Sequence, residues 1–240
     1  MATELTVTQT PATSVGAYQI EGMEDLQSTD FAIPRWSIIQ PTSRKQGADE
    51  HIGQFVRNID GEFAPNLNVV ILKISPNRLL WSGDQSDKGP ECASRDGING
   101  STYGACNACQ FNPQVNHKLW NDRSLKACGY GYNLVVCDEE GALALVGAMG
   151  TSVRPIKTLN AQFASKGRPP FSALVNLGTV KQTNDRGKYY VLNPLVSRWF
   201  DAEETAEFRG RYLSIKGATV KDIDDQEDAI DDESVESPNF

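Results

Sequence analysis

Short apolar runs rich in β-branched residues, separated by Gly, Pro, Asn and Asp, dominate the chain from about residue 31 onward. The clearest run, residues 67–75, reads LNVVILKIS and is too short and too β-branched for a typical helix, so it predicts a strand. Pro76 and Asn77 interrupt this run, and residues 78–82 resume an extended pattern. Further strands are predicted at residues 54–59, 130–138, 142–148, 171–182 and 188–195.

The segments between these strands predict two hairpins and two helices. Residues 138–141 (DEEG) can close one hairpin because Gly141 is free to adopt positive φ, and residues 183–187 (TNDRG) can close another. Residues 159–166 form a candidate short helix. Residues 201–211 begin with acidic and end with basic side chains, which suits the helix dipole and predicts a second helix.

This pattern of strands predicts a mainly β fold. Six or seven short strands, few helices and a long irregular stretch are typical of a small β-barrel or sandwich. We favour an oligonucleotide-binding (OB) barrel with a zinc-binding loop insertion at about residues 83–129. At 240 residues the chain is long enough for one well-buried domain, which we assign to residues 30–221, between a polar lead-in at 1–29 and an acidic tail at 222–240.

Composition narrows the cellular setting. No apolar stretch approaches the roughly 20 residues of a membrane span, and the N-terminus lacks the basic cluster and apolar run of a secretory signal. These features predict a soluble, cytoplasmic protein. Five cysteines, an odd number without an export signal, favour metal ligation or ordinary burial over a disulfide framework.

Charge is distributed unevenly along the chain. The 23 basic and 31 acidic residues give a net charge of −8, but nine of the acids lie in the last nineteen residues. Self-repulsion and a small apolar content predict a disordered tail, and its terminal Phe240 predicts docking in a partner's pocket. Residues 151–198 carry eight basic residues against the single acid Asp185, which is the electrostatic footprint of a phosphate-backbone binder.

Four of the cysteines have the spacing of a metal site. Cys106 and Cys109 form a C-x2-C pair, with Cys92 fourteen residues before it and Cys128 nineteen residues after it. Four thiolates complete a closed tetrahedral site, and the small, turn-forming residues around them can hardly build a core of their own. We therefore expect a structural Zn²⁺ to order this loop. His117 is a reserve ligand, and an iron–sulfur cluster is the alternative occupant.

The remaining signals do not point to catalysis. Cys137 lies inside an apolar run and is expected to be a buried small hydrophobe. Zinc deaminases require H-x-E and P-C-x-x-C, but neither His is followed two residues later by Glu, and Ala105 precedes Cys106. The chain also lacks the phosphate-loop, nucleophile-elbow and H-E-x-x-H signatures. We expect a binding protein rather than an enzyme.

Aromatic and basic residues lie side by side on the predicted strands. Single-strand binding needs a positive groove and exposed aromatic faces, and no basic recognition helix for duplex DNA stands out. Because Tyr189 and Tyr190 are consecutive on a strand, at most one of them reaches a common groove. For any single ring, core packing is the alternative interpretation. The candidate DNA-binding residues are Arg35, Trp36, Lys73, Arg78, Trp81, Arg154, Lys157, Lys166, Arg168, Phe171, Lys181, Arg186, Lys188, Tyr189, Arg198 and Trp199.

Three features together resemble single-stranded DNA-binding proteins of bacteria and bacteriophages: the predicted small β-barrel, the basic region interleaved with aromatic residues, and the acidic tail ending in Phe240. The resemblance implies an OB fold that grips the strand and a tail that docks replication and recombination proteins and competes with DNA. In some phage members a structural zinc lies beside the barrel. The residues Ser237-Pro238-Asn239 precede Phe240, where bacterial tails usually carry Pro-Phe. The tail residues expected to contact a partner are Asp231, Asp232, Glu233 and Phe240.

The body of the chain resembles a second group. The segments IPRWSIIQPTS, NVVILKISPNRLLW and YGACNAC are similar to a family of proteins encoded by phages and mobile elements, over roughly residues 30–200. This second resemblance implies a phage origin, a fold and a metal site more than an activity. The first resemblance implies sequence-independent binding of single-stranded DNA during phage replication or recombination, in the cytoplasm of a bacterial host. A zinc-stabilised protein–protein adaptor and a duplex- or RNA-binding phage regulator are the alternatives.

Overall fold

The computed structural model describes residues 33–43, 48–81, 89–122, 125–185 and 187–217. Within these ranges the chain forms eleven strands and three α-helices. The strands are β1 (Arg35–Ile38), β2 (Phe55–Arg57), β3 (Phe63–Ala64), β4 (Leu67–Leu80), β5 (Cys92–Ser94), β6 (Asn99–Gly100), β7 (Gly104–Ala105), β8 (Gly129–Cys137), β9 (Leu143–Met149), β10 (Ala173–Asn184) and β11 (Gly187–Trp199). The helices are α1 (Lys118–Asn121), α2 (Val153–Ser165) and α3 (Ala202–Ile215).

One large sheet organises the described chain, and the mainly β class is confirmed. Its strand order is β11-β10-β4-β8-β9-β1-β2-β3, with β5 added beside β4, while β6 and β7 form a separate hairpin. The pairings are antiparallel except that of β1 with β9, where Trp36 lies opposite Val146 in parallel register. Both predicted hairpins are confirmed: β8 pairs with β9 across residues 138–142, and β10 pairs with β11 as far as Asn184 and Gly187.

Strand β4 runs unbroken through Pro76, where the sequence predicted an interruption. Pro76 lies opposite Tyr132 of β8. On its other side, β4 is paired only at its two ends, with β10 at residues 67–70 and with β5 at residues 78–80. Proline is tolerated in a strand where no partner requires its missing N–H. The gap between β10 and β5 therefore accommodates Pro76.

Both faces of the sheet are covered, which buries its central strands on two sides. On one face Ile71 belongs to the cluster that contains Phe163 of α2. On the other face Leu72 belongs to a cluster against which Tyr212 of α3 packs. This two-sided burial explains why residues 69–72 of β4 and residues 134–137 of β8 are continuous apolar runs rather than alternating ones.

The sheet curls until its two ends meet. Gln40, which follows β1, donates from Nε2 to the carbonyl oxygen of Tyr190 and accepts from the Tyr190 N–H, both at 2.9 Å. Thr179 Oγ1 donates to the carbonyl oxygen of Gly53, just before β2, at 2.5 Å. Gln40 and Gly53, which lie between β1 and β2, therefore contact β11 and β10 at the opposite end of the strand order. The result is a curled half-barrel.

The two longer helices extend beyond their predicted limits. Helix α2 begins at Val153 rather than at residue 159, because Pro155 falls in the first turn, where no intrahelical N–H is needed. Helix α3 carries a capping box, in which the Asp201 side chain accepts from the Glu204 N–H and the Glu204 side chain accepts from the Asp201 N–H. It continues to Ile215 because this residue is buried in the second cluster.

The insertion predicted at residues 83–129 has little regular structure in its described part, which holds β5, the β6–β7 hairpin and the four-residue α1. None of the described helices is long and apolar enough to cross a membrane. The lead-in at 1–29 and the tail at 222–240, with Asp231, Asp232, Glu233 and Phe240, lie outside the described residues.

Candidate nucleic-acid interface and cysteine cavity

The four cysteines predicted as metal ligands line one small cavity, which we call the cysteine cavity. Cys92 begins β5, Cys106 and Cys109 lie in the turns after β7, and Cys128 immediately precedes β8. The cavity holds about 10 Å³ of free space, close to one water-sized sphere. In the described ranges no group of three or more His, Cys, Asp or Glu side chains is already arranged to hold a metal ion. The four thiols thus border a common space without converging on a point.

Backbone hydrogen bonds fix the loop segments that carry these cysteines. The Cys106 N–H donates to the Ile98 carbonyl, and the Cys128 N–H donates to the Phe111 carbonyl, both at 2.7 Å. Asn112 Nδ2 donates to the Cys106 carbonyl at 2.7 Å. These contacts join residues of the insertion that lie 6 to 17 positions apart, so the cavity depends on how several segments of the insertion fold together.

Close packing of the cavity wall requires a glycine. A Cβ atom at Gly100 would stand 2.6 Å from the Cys92 sulfur, so any larger residue there would displace the thiol. Burial raises the pKa of the Cys128 thiol to about 11, the charge of Arg78 opposes the shift, and the other three cysteines of the cavity add to it. The four sulfurs are therefore within electrostatic reach of one another.

The reserve ligand His117 and the fifth cysteine, Cys137, lie elsewhere. His117 is exposed at the start of α1 and does not line the cysteine cavity. Cys137 is fully buried in the cluster beneath α3, as expected for a small hydrophobe. Burial raises the pKa of the Cys137 thiol to about 11.

Arg78, a predicted DNA-binding residue, is buried in the wall of the cysteine cavity. Its Nη1 donates to Asn112 Oδ1 at 3.0 Å, and its Nη2 donates to Gln114 Oε1 at 2.8 Å. Its guanidinium also stacks over the ring of Tyr130, 5.1 Å from the centroid. Only 6% of Arg78 is exposed, so its charge faces the interior of the insertion rather than a surface groove.

Two open surface grooves share Met149 as a wall residue. The first, which we call the tyrosine groove, has a volume of about 390 Å³ and is bordered by Gln40, Thr151, Lys188, Tyr189 and Tyr190, among others. Both tyrosines thus border one groove, whereas the alternation of side chains along a strand predicted that at most one of them would. The second, the tryptophan groove, has a volume of about 370 Å³ and is bordered by Trp81, Leu125, Lys126, Ala127 and Gly129, among others. Because Met149 lines both, the grooves meet at the end of β9.

Exposed side chains with the chemistry of nucleic-acid contacts lie along these grooves. Trp81 is 56% exposed, which is unusual for a tryptophan. Lys188 is exposed on the wall of the tyrosine groove, and Lys181 lies opposite Tyr190 in the β10–β11 register. Tyr189 is half-buried and donates to Gln182 Oε1 at 3.0 Å.

Helix α2 begins directly beside the tyrosine groove. Thr151 and Ser152, which line the groove, lead into its first turns, where Arg154 and Lys157 are exposed. The Lys157 ammonium lies 5.8 Å from the centroid of the Tyr130 ring. Lys126, on the tryptophan groove, forms an ion pair with Glu91.

Two of the candidate aromatic residues are core residues. Trp36 belongs to the cluster beneath α2, and Phe171 belongs to the cluster beneath α3, where its ring stacks on Tyr212. Their rings offer no exposed face for a base. The prediction that they contact DNA is therefore wrong, and core packing, the alternative interpretation, holds for both.

A second set of candidates is engaged with neighbours away from the grooves. Lys166 and Arg168 both lie over the Trp199 ring, at 5.3 and 5.2 Å from its centroid. Arg198 forms an ion pair with Glu204 of α3. Arg35 is half-buried in β1, and Lys73 directs its ammonium towards the Lys216 carbonyl at 3.5 Å. Arg186 lies outside the described residues.

Several groove residues carried no sequence signal. Met149, Gln40 and Thr151 are neither charged nor aromatic, and nothing in their immediate sequence marks them as surface residues. Leu125 is 43% exposed although it is apolar. Only the tertiary fold brings these residues beside Trp81 and Lys188.

The family model for the Pam3 phage gp34-like protein matches residues 4–229 of the chain. No curated protein and no solved structure gives a significant match. The matched region covers the curled sheet, the insertion with its four cysteines and both grooves, and it extends beyond the 30–200 range over which the phage resemblance was expected. Because the match spans nearly the whole chain, the protein belongs to the Pam3 phage gp34-like family.

Proposed function

We propose that the protein binds single-stranded DNA without sequence preference, in phage DNA replication or recombination. The observation that carries this proposal is the meeting of two open grooves at Met149, one presenting exposed Trp81 and the other presenting Lys188 and Tyr189. Single-strand binders combine aromatic platforms for bases with positive charge for the backbone. An open groove of this kind also suits an extended chain that enters and leaves, rather than a small molecule that must be enclosed.

The charge around the tyrosine groove supports a path for a phosphate backbone. Lys188 and Lys181 project from the β10–β11 hairpin, and Arg154 and Lys157 are exposed on α2 beside it. None of these four side chains is joined to a carboxylate by an ion pair within the described residues. Their charge is thus available to a polyanion. Trp36, Arg78 and Phe171 are left out of this interface because they are buried.

The proposed fold for this activity is an OB-like barrel. The mainly antiparallel sheet, its closure through Gln40 and Tyr190, and the long β10–β11 hairpin beside the groove all suit a partly open barrel that binds oligonucleotides on one side.

A structural Zn²⁺ in the cysteine cavity is part of the proposal. Cys92, Cys106, Cys109 and Cys128 would hold it, and soft thiolates are the ligands that zinc accepts in closed sites. When bound, the ion would supply folding free energy to the insertion. The cavity and the tryptophan groove have adjoining walls. Leu80 and Cys128 line the cavity, whereas their neighbours in the sequence, Trp81, Ala127 and Gly129, line the groove. The metal would therefore hold the Trp81 end of the interface in shape.

The acidic tail completes the proposal as a contact for replication or recombination proteins through Asp231, Asp232, Glu233 and Phe240. Its nine negative charges would also compete with DNA for the basic groove. The like-charge density of the sequence supports this role.

The deciding experiment is a fluorescence anisotropy titration of labelled oligo-dT, oligo-U and a matched DNA duplex at low and moderate salt. We expect tight binding of oligo-dT that weakens steeply with salt, and much weaker binding of the duplex. The same titration on a chain ending at Lys221 should give tighter binding if the tail competes. Equal affinity for dT and duplex would contradict the proposal and favour a duplex-binding regulator, and preference for oligo-U would favour an RNA binder. Negligible binding of all three would favour the protein–protein adaptor.

A further inference from the structure

Arg78 is a buried cation that has no buried carboxylate beside it among the described residues. It lines the cysteine cavity, and the acceptors of its two Nη groups, Asn112 and Gln114, are neutral amides. Its Nε has no hydrogen-bond partner in the part of the chain that the structure describes. Nor does a carboxylate of the described residues lie within ion-pair distance of it. A buried charge is strongly unfavourable unless an opposite charge compensates it.

The cavity itself limits what the compensating charge can be. Its free space of about 10 Å³ is that of one water-sized sphere, which is too small for a phosphate or a sulfate. The lining side chains that can become anionic are the thiols of Cys92, Cys106, Cys109 and Cys128 and the phenol of Tyr103. The Tyr103 hydroxyl already donates its proton in a hydrogen bond to Glu91, which leaves the four thiols as the source of the compensating charge. Four thiolates around a divalent ion form a centre with a net charge of −2.

We propose that Arg78 is the internal counter-charge of a four-thiolate divalent metal centre in the cysteine cavity. This inference rests on the metal site of the proposed function and deepens it. On loading, one Zn²⁺ would form four Zn–S bonds as four S–H bonds break and four protons leave to solvent. The centre carries −2, and the guanidinium of Arg78 reduces the buried net charge to −1. Arg78 binds no metal itself and acts as a positioning residue through its charge.

This role has a consequence that a purely structural role lacks. In the metal-free protein Arg78 has no anionic partner among the described residues, so removing it costs only its hydrogen bonds to Asn112 and Gln114 and its stacking on Tyr130. In the metal-loaded protein the same change also removes the counter-charge and should decrease stability by more. If Arg78 served only to hold Asn112 and Gln114, both forms would lose stability equally.

The test compares the wild type with Arg78→Met and Arg78→Lys, using Zn²⁺ as the probe. Arg57→Met is the matched control, because Arg57 also stacks over an aromatic ring, that of Trp36, but pairs with Asp60 and lies outside the cysteine cavity. Zinc affinity is measured by competition with a chromophoric chelator, and urea unfolding is followed with and without zinc. Elemental analysis of the purified wild type measures its metal content, which tests the metal site independently of any DNA binding.

We expect one equivalent of metal in the wild type and an unchanged zinc affinity in Arg57→Met. Zinc affinity should fall about 10- to 100-fold in Arg78→Met, as for other residues that support metal ligands, and by less than tenfold in Arg78→Lys, which keeps the charge. Wild-type affinity in a folded Arg78→Met protein would overturn the inference but not the metal site. If Arg78→Met does not fold, a 100-fold loss of zinc affinity in Arg78→Lys would overturn the inference. Lysine keeps the positive charge, so such a loss would have a cause other than the charge. Absence of metal binding by the wild type would overturn both the inference and the metal site, whereas single-stranded DNA binding is tested separately by the titration with oligo-dT.

Discussion

Tyr190 lies so close to Gly53 that a Cβ atom at Gly53 would stand 2.3 Å from Cε1 of the tyrosine ring. Gly53 also has a φ of +89°, in the left-handed region that favours glycine. This contact joins the loop before β2 to β11, where the two ends of the sheet meet. The glycine is therefore required both by its backbone conformation and by the ring that packs on it.

Gly53→Ala should destabilise the protein by about 2–4 kcal/mol, because backbone strain and overpacking of the Tyr190 ring add together. Gly61→Ala is the matched control, since Gly61 has a φ of +72° and nothing within 4 Å of an added Cβ. The control should lose only the strain component, about 1–2 kcal/mol. Urea denaturation of both variants measures the difference, and equal losses would show that Tyr190 simply moves aside.

Lys188→Glu should weaken oligo-dT binding and reduce the steepness of its salt dependence by about one phosphate contact or more, because a groove cation becomes an anion. Arg209→Glu makes the same charge change at an exposed position on α3, outside both grooves. It should have a much smaller effect. Anisotropy titrations over a series of salt concentrations compare the two slopes, and indistinguishable slopes would argue against the tyrosine groove as the backbone path.

Trp81→Ala should reduce oligo-dT affinity by about 5- to 150-fold, the equivalent of about 1–3 kcal/mol for one stacked base. Leu195→Ala is the control, because Leu195 is 57% exposed and borders neither groove. Quenching of tryptophan fluorescence on adding oligo-dT should also be smaller in Trp81→Ala than in the wild type. Unchanged affinity in Trp81→Ala would remove the tryptophan groove from the interface.

Removal of metal by a chelator should weaken oligo-dT binding in the wild type and have little further effect on the affinity of Trp81→Ala. The reason is that Cys128, a proposed zinc ligand, lies between Ala127 and Gly129, which line the tryptophan groove together with Trp81. Added Zn²⁺ should restore the wild-type affinity, which controls for effects of the chelator itself. If chelation weakens both proteins by the same factor, the metal supports the fold as a whole and not the Trp81 end in particular.

Cys137→Ala should flatten the alkaline loss of stability. Burial raises the pKa of the Cys137 thiol to about 11, whereas the thiol of an unfolded chain ionises near pH 8.5. Between these values the folded state holds the proton that the unfolded state has released, so the free energy of unfolding falls as the pH rises. Urea unfolding of the zinc-loaded wild type and variant at pH 7.5, 9 and 10.5 measures the two slopes. Parallel pH profiles would contradict this assignment.

Secondary structure and the grouping of the cysteines were predictable because both depend on short-range patterns. A β-branched run such as that of β4 and a Gly-containing turn such as that at Gly141 specify strand and hairpin locally. The C-x2-C pair likewise places Cys106 and Cys109 within one turn. Pro76 was misjudged as an interruption because its tolerance depends on which edge of β4 is left without a partner at that point.

The sequence by itself therefore determined the mainly β class, the two hairpins and the four-cysteine set. Only the tertiary structure decided which aromatic and basic residues face solvent: Trp36 is buried and Trp81 is exposed, and Arg78 lies at the cysteine cavity instead of in a groove. Alternation along a strand distinguishes its two faces but does not say what covers each of them. That depends on where α2 and α3 dock and on how far the sheet curls, which are contacts between residues distant in the chain.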